Sequence, residues 1–123
     1  MTTSTMQLVQ EAKANIKEVS IELAKQMITG NSKIIDVREA LEFETGHVPN
    51  AIHISRGLLE FMIPNHPECQ DKNQSFIVYC KSGGRSALAT ATLQQLGYQN
   101  VHSMLGGFDE WSAGSAIPEE TKA

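Results

Sequence analysis

The sequence predicts an α/β domain with a mainly parallel sheet and helices on both faces. Short apolar, β-favouring runs alternate with segments of helical spacing along the chain. The strongest run, Ser75-Phe-Ile-Val-Tyr79, is continuous and β-favouring, as a strand buried on both faces requires. The 123 residues suit one compact domain, and a composition 41% hydrophobic and 20% charged is that of an ordinary globular protein. Such a chain can bury a core without disulfide or metal staples.

Taken in order, the first seven residues are polar and predict a frayed end. Leu8 to Ala14 predicts a short amphipathic helix. Ser20 is a natural N-cap for a second helix carrying Ile21, Leu23, Ala24, Met27 and Ile28, with Gly30 as its stop. Lys33 to Val37 reads as a buried strand, Glu39 to Thr45 as a short helix closed by Gly46, and Ala51 to Ile54 as the next strand. Leu58 to Ile63 predicts a helix stopped by Pro64. After the Ser75–Tyr79 strand and a glycine-containing loop, a helix is predicted from about Ser86 to Leu96. Its Ala89, Leu93 and Leu96 share a face, and Gly97 follows as a C′ residue. Val101 to Met104 is a last strand, and Gly106 to Trp111 turns into a final helix.

Charge and cysteine content exclude several classes. The net charge is −4 with a pI near 5.5, and no dense Lys/Arg stretch is present, which argues against nucleic-acid binding. An anionic ligand must therefore be attracted locally. The N-terminus has neither a basic nor an apolar signal-peptide region, and no run of about 18 apolar residues predicts a membrane span. Cys69 and Cys80 are too few for a disulfide framework, so the expected compartment is a reducing cytoplasm.

The chemistry concentrates in Cys80-Lys-Ser-Gly-Gly-Arg85-Ser86, at the carboxyl end of the best strand. In α/β folds ligands bind at such ends. The two glycines let the chain curl, and a curled loop entering a helix turns successive N–H groups into one hollow. The helix N-terminus adds partial positive charge there, and Lys81 and Arg85 bring full charges nearby. A thiol in that hollow is expected to serve as a thiolate nucleophile, because those donors stabilise the anion. The plainer reading of Cys80 is a buried structural cysteine; the adjoining Gly-Gly and Arg weigh against it.

Three separated segments together resemble the rhodanese family. Ile35-Asp-Val-Arg-Glu-Ala-Leu-Glu-Phe-Glu-Thr-Gly-His-Val-Pro-Asn-Ala-Ile-His-Ile54 is similar to its D-V-R-x-x-x-E-F-x-x-G-H-I-P-G-A-x-x-I region. The Cys80–Ser86 loop is the second, and Leu105-Gly-Gly-Phe-Asp-Glu-Trp111, similar to L-x-G-G-x-x-x-W, is the third. The match runs in order from about Val19 to Trp111. Its departure is Asn50, where the family usually has Gly; Asn tolerates the same turn geometry. The resemblance implies a rhodanese-like fold with a central five-stranded, mainly parallel sheet. It implies a sulfurtransferase that takes a sulfane sulfur from thiosulfate or a persulfide onto Cys80 and passes it to a thiophilic acceptor. Cyanide is the usual assay acceptor, and thiols or acceptor proteins are physiological ones. Cys80 is then the persulfide site, with Lys81, Ser82, Gly83, Gly84, Arg85 and Ser86 as its cradle. No metal or organic cofactor is implied. The expected organisation is an N-terminal extension over 1–15, the rhodanese domain over 16–118 and a polar tail over 119–123.

Loop length separates two chemistries. Phosphatases and arsenate reductases of this fold carry Cys-x5-Arg, whereas four residues separate Cys80 from Arg85, a shorter loop that suits a single sulfur atom. Tyr79 also stands where those phosphatases typically have His. A third possibility is a binding, sulfur-carrier or redox-sensing module. Catalytically dead relatives usually lose the cysteine, and this chain keeps it with the full loop.

Other residues admit two readings each. Asp36 and Arg38 read as a structural pair or as site wall, and Arg56 as a lining residue of the mouth. His47 reads as a base or a turn-stabilising residue, the latter favoured. His53, His66 and His102 lack metal-ligand spacing. Glu42 and Glu44 predict a solvated helix face. Cys69 reads as a resolving thiol or, preferably, an unremarkable surface or half-buried one. Phe108 and Trp111 suit core or lid packing, and Leu58, Leu59, Phe61, Met62 and Ile63 either core or a wall near the site.

Overall fold

The computed structural model describes residues 2–114; the expected tail over 119–123 and the end of the expected domain lie outside them. The chain order is α1 (Thr5–Ala14), β1 (Lys17–Val19), α2 (Ile21–Gly30), β2 (Lys33–Asp36), α3 (Ala40–Glu44) and β3 (Ile52–His53). Then come α4 (Leu59–Met62), β4 (Phe76–Tyr79), α5 (Gly84–Gln95), β5 (Val101–Met104) and α6 (Gly107–Gly114). The five strands are all parallel in the order β1-β5-β4-β2-β3. The fold is therefore α/β, with β4 at the sheet's centre.

Strand alternation divides β4 between two cores. Phe76, Val78 and Cys80 join Ile35, Val37, Leu59 and Ile63 beneath α4 and α5, represented by Ala89 and Leu93. Ile77 and Tyr79 join Ile34, Val19, Ala24 of α2 and Trp111 of α6 on the opposite face. Helices thus cover both faces, and no strand of the β4 type could show a polar side. Trp111 is core, 2% exposed. Of the apolar residues read as core or wall, Leu59 and Ile63 are buried, while Leu58, Phe61 and Met62 are exposed.

Several sequence expectations need correction. The first seven residues are not wholly frayed: α1 starts at Thr5 because Ser4 and Gln7 form a reciprocal capping box. β1 has no counterpart in the sequence reading; three residues with Lys and Glu carry almost no pattern, and the strand exists through pairing with β5. Ser20 caps α2 as expected, but Gly30 lies inside it and Asn31, at φ 141°, ends it. Pro64 does not stop α4; it sits in a 3₁₀ turn over Ile63–Asn65 that follows directly. α5 begins at Gly84, two residues early, so Arg85 belongs to its first turn. Its end is as read: Gly97, at φ 97°, donates to Gln94 O and Tyr98 N–H to Leu93 O. Asn50 adopts φ 69°, the left-handed geometry expected of it.

The N-terminal helix packs on its own domain. α1 lies along α5, burying Ala12 and bringing Val9 to the first turn of α5 at Gly84.

Candidate active site

β4 delivers Cys80 to the carboxyl edge of the sheet, and the turn after it reverses onto α5. Gly83 takes φ 122°, ψ −14°, a backbone conformation that disfavours side-chain-bearing residues, and so caps α5. This folds two amides back onto the sulfur. Gly83 N–H donates to Cys80 Sγ at 3.1 Å and Ser86 N–H at 3.3 Å. Both belong to the N-terminus of α5, where unpaired N–H groups favour an anion. Ser86 is buried and ties the turn underneath: its hydroxyl donates to Gly83 O at 3.2 Å and meets the Ser103 hydroxyl at 2.8 Å. Cys80 is 1% exposed, so the sulfur is buried beneath the loop.

α6 closes the other side. Phe108 N–H donates to Cys80 O at 2.8 Å and Asp109 N–H to Lys81 O at 3.0 Å. Gly107, at φ 59°, permits this approach: a Cβ there would stand 2.5 Å from both carbonyl oxygens. The loop is thus held from α5, β5 and α6 at once.

The two cations expected to face an anion are both engaged. Arg85 forms a two-pronged pair with Glu42 of α3, at 2.7 and 3.1 Å. Lys81 pairs with Asp109 at 2.9 Å, well exposed to solvent. Ser82 is exposed on the loop. Glu42 is therefore not a solvated residue, unlike exposed Glu44; it also accepts from Glu39 N–H at 3.0 Å. No local sequence signal could have revealed the pair, because its members lie 43 residues apart.

The Arg85 guanidinium holds the Glu42 carboxyl down at about 2, against an ordinary value near 4.5. A carboxylate so lowered stabilises the fold above its unfolded value, and that contribution disappears as pH falls through the folded one. The stability gap between the parent chain and Glu42→Gln is expected to be complete at pH 7 and to shrink between pH 4.5 and 2. Urea unfolding across that range measures it; a gap independent of pH would contradict the assignment. With both side chains about a third exposed, the gap is at most on the order of 1 kcal/mol.

Asp36 and Arg38 form a buried tie. Arg38 Nε lies 3.1 Å from both Asp36 oxygens, its Nη2 donates to Oδ2 at 2.8 Å, and the same Nη2 donates to Gly46 O at 2.6 Å. Tyr79 O–H donates to Asp36 at 2.6 Å and accepts from Val48 N–H at 3.0 Å. Phe108 stacks on Tyr79 and under the Arg38 guanidinium, 4.4 Å from its carbon. Nε and Nη2 of Arg38 are thus held inside the protein, tying β2 to the turn between α3 and β3. Arg56 points along α5 to Thr92 at 3.1 Å and pairs with Glu60 at 3.0 Å. Thr92 lies about 12 Å along the helix axis from Gly84, at 1.5 Å per residue, so these contacts do not bring Arg56 to the loop.

The remaining candidates are structural. His47 stacks on Phe43 and contacts Phe43 O at 2.9 Å, the turn-stabilising role. His53 contacts Arg38 O, His102 contacts Phe76 O, and His66 accepts from Glu68 N–H. Cys69 is fully buried rather than at the surface, and burial pushes its thiol up to about 11, which disfavours a resolving role. Among the described residues no group of three His, Cys, Asp or Glu could hold a metal ion, and no helix is long and apolar enough to cross a membrane.

Comparison with known proteins gives consistent relatives. A family model described as rhodanese-like domain matches residues 20–114. The thiosulfate sulfurtransferase GlpE of Coxiella burnetii is 35% identical over 80 residues, covering 65% of this chain and 71% of that one. YrkF of Bacillus subtilis, named as a putative sulfur carrier protein, is 31% identical over 104 residues; the match covers 83% of this chain but 54% of YrkF. Among solved structures, RPA3614 of Rhodopseudomonas palustris superposes with a TM-score of 0.81 at 32% identity, covering 93% of this chain and 92% of that one. That protein is described as of unknown function and a possible tyrosine phosphatase.

Proposed function

The chain belongs to the rhodanese-like domain family, and on that premise we propose that it is a sulfurtransferase working through a Cys80 persulfide. The supporting observation is the pair of backbone N–H groups, Gly83 and Ser86, converging on Cys80 Sγ at the N-terminus of α5. In the first half-reaction the Cys80 thiolate attacks the sulfane sulfur of thiosulfate or a persulfide. A new S–S bond forms, the donor's S–S bond breaks, and sulfite or a thiolate leaves with the electron pair. In the second, a thiophilic acceptor such as cyanide or a thiol attacks the outer sulfur, and the Cys80 thiolate leaves. The same amides hold the sulfur anion in both resting states, so no cofactor enters either step. The fixed backbone supplies stabilisation without reorganising.

The loop residues Lys81 to Ser86 form the cradle in this reading, with Gly83, Ser86 and the α5 terminus as its working donors. Four residues between Cys80 and Arg85, and an Arg85 already tied to Glu42, make a poor receptor for a tetrahedral phosphoryl group. Both cysteines are free thiols, and a reducing cytoplasm would keep Cys80 in that state. Intact mass after incubation with thiosulfate tests the reading. The expected result is a gain of one sulfur, about 32 Da, removed by cyanide. No gain from either thiosulfate or a singly charged thiosulfonate, or a gain that cyanide leaves in place, would overturn it.

A further inference from the structure

Two ion pairs stand at the Cys80 loop. Arg85 is clamped by Glu42 through both terminal guanidinium nitrogens, and Lys81 is met by Asp109. Each pair leaves no net charge, in a chain whose net charge is −4. Of the two pairs, Arg85–Glu42 bears on the reacting sulfur. Arg85 is in the first turn of α5, beside the amide of Ser86 that holds Sγ, and Cys80 is among the charges that favour the Arg85 cation. A doubly charged donor reaching the loop would want that guanidinium for itself, and would find it turned toward Glu42 of α3.

We infer that Glu42 is a specificity-determining residue: by clamping Arg85 it sets the site against doubly charged sulfur donors and in favour of singly charged ones, such as persulfides and thiosulfonates. The inference rests on the sulfur-transfer reading and adds the donor's charge class to it. Glu42 touches neither donor nor Cys80; it acts through Arg85.

Two donors of similar size isolate the effect. Thiosulfate is a dianion, and transfer of its outer sulfur to the Cys80 thiolate releases sulfite. Methanethiosulfonate carries a methyl group in place of one oxygen, is a monoanion, and by the same bond exchange releases methanesulfinate. Coulomb energy scales with donor charge, so uncovering one cation changes the logarithm of the dianion's rate twice as much as the monoanion's. Glu42→Gln keeps an oxygen for the Glu39 N–H and removes the charge. With cyanide as acceptor, this variant is expected to raise kcat/KM for thiosulfate about tenfold and for methanethiosulfonate about threefold. The preference for the monoanion then falls about threefold. Adding Arg85→Gln to Glu42→Gln should return the preference to that of the parent chain, and Glu42→Asp should largely retain it.

Intact mass is recorded on the same samples. If both donors load sulfur on Cys80 but Glu42→Gln moves both rates equally or not at all, the charge-class inference is wrong and sulfur transfer stands. If neither donor loads sulfur on the parent chain, sulfur transfer fails and this inference goes with it.

Discussion

Cys80→Ser is expected to abolish sulfur transfer, with a loss of about 10⁴-fold or more, of the size seen when a covalent nucleophile is removed. The reason is chemical before it is structural. A hydroxyl cannot carry the sulfane sulfur at neutral pH, so neither half-reaction has an intermediate to pass through. The fold should survive. Serine is smaller, and its oxygen accepts from the Gly83 and Ser86 amides that now point at sulfur. The apolar contacts of Cys80 with the α5-side core are a minor part of that cluster, so the melting temperature should move by no more than about 5 °C, corresponding to roughly 1 kcal/mol. Thiocyanate production from thiosulfate and cyanide, with circular dichroism as the fold control, measures both. Thiocyanate formation retained in a folded Cys80→Ser protein would leave the proposed intermediate without support. The same experiment separates Cys80 from Cys69. The buried thiol at 69 is left in place, and burial, which holds it in the neutral thiol form, is expected to give it no part in the transfer.

The geometry of the candidate site is legible in the sequence where the chain's own local structure makes it. Cys80, Gly83 and Ser86 lie within seven consecutive residues, and a strand running through a glycine turn into a helix converges amides on the strand's last side chain. Unbroken apolar strands announced the central sheet, because Phe76 to Tyr79 must satisfy two cores at once. What escaped the sequence is what depends on partners far along the chain. β1 exists because β5 offers it a ladder. Glu42 looked like a surface residue because its partner is brought to it by the fold. Lys81 and Arg85 read as free charges for the same reason, since nothing in the sequence assigns them to Asp109 and Glu42. The contacts of Arg38 with Gly46 and Phe108 escape the sequence for the same reason, since the fold alone brings them together.

Asp36→Ala is expected to have the largest effect on stability. The carboxylate is fully buried and receives the Tyr79 hydroxyl, the Arg38 guanidinium and the Arg38 backbone N–H. Its removal leaves a guanidinium 4% exposed as a residue and without its counter-ion, and breaking a buried pair from one side costs about 3–5 kcal/mol. Tyr79 loses its acceptor as well, and with it the Tyr79–Val48 link that pins the turn before β3 is put at risk. For a domain of this size, total stability is about 5–15 kcal/mol. The melting temperature should therefore drop by about 10–20 °C. Asp36→Asn discriminates charge from shape. It keeps an oxygen for Tyr79 but leaves the Arg38 cation unmatched, so most of the loss should remain. Tyr79→Phe removes only the hydroxyl and strands the Val48 N–H, for about 1–3 kcal/mol. Thermal unfolding of the three variants ranks them, and an Asp36→Ala protein melting within about 3 °C of the parent would show that the tie is not what holds this end of the sheet. The expected loss reaches the site too. β2 lies beside β4 with Asp36 opposite Tyr79, and Val37 N–H donates to Tyr79 O at 3.0 Å, the carbonyl just before Cys80. A loosened Asp36 therefore frees the strand end from which Cys80 Sγ projects, and the proposed sulfur transfer should weaken before the protein unfolds.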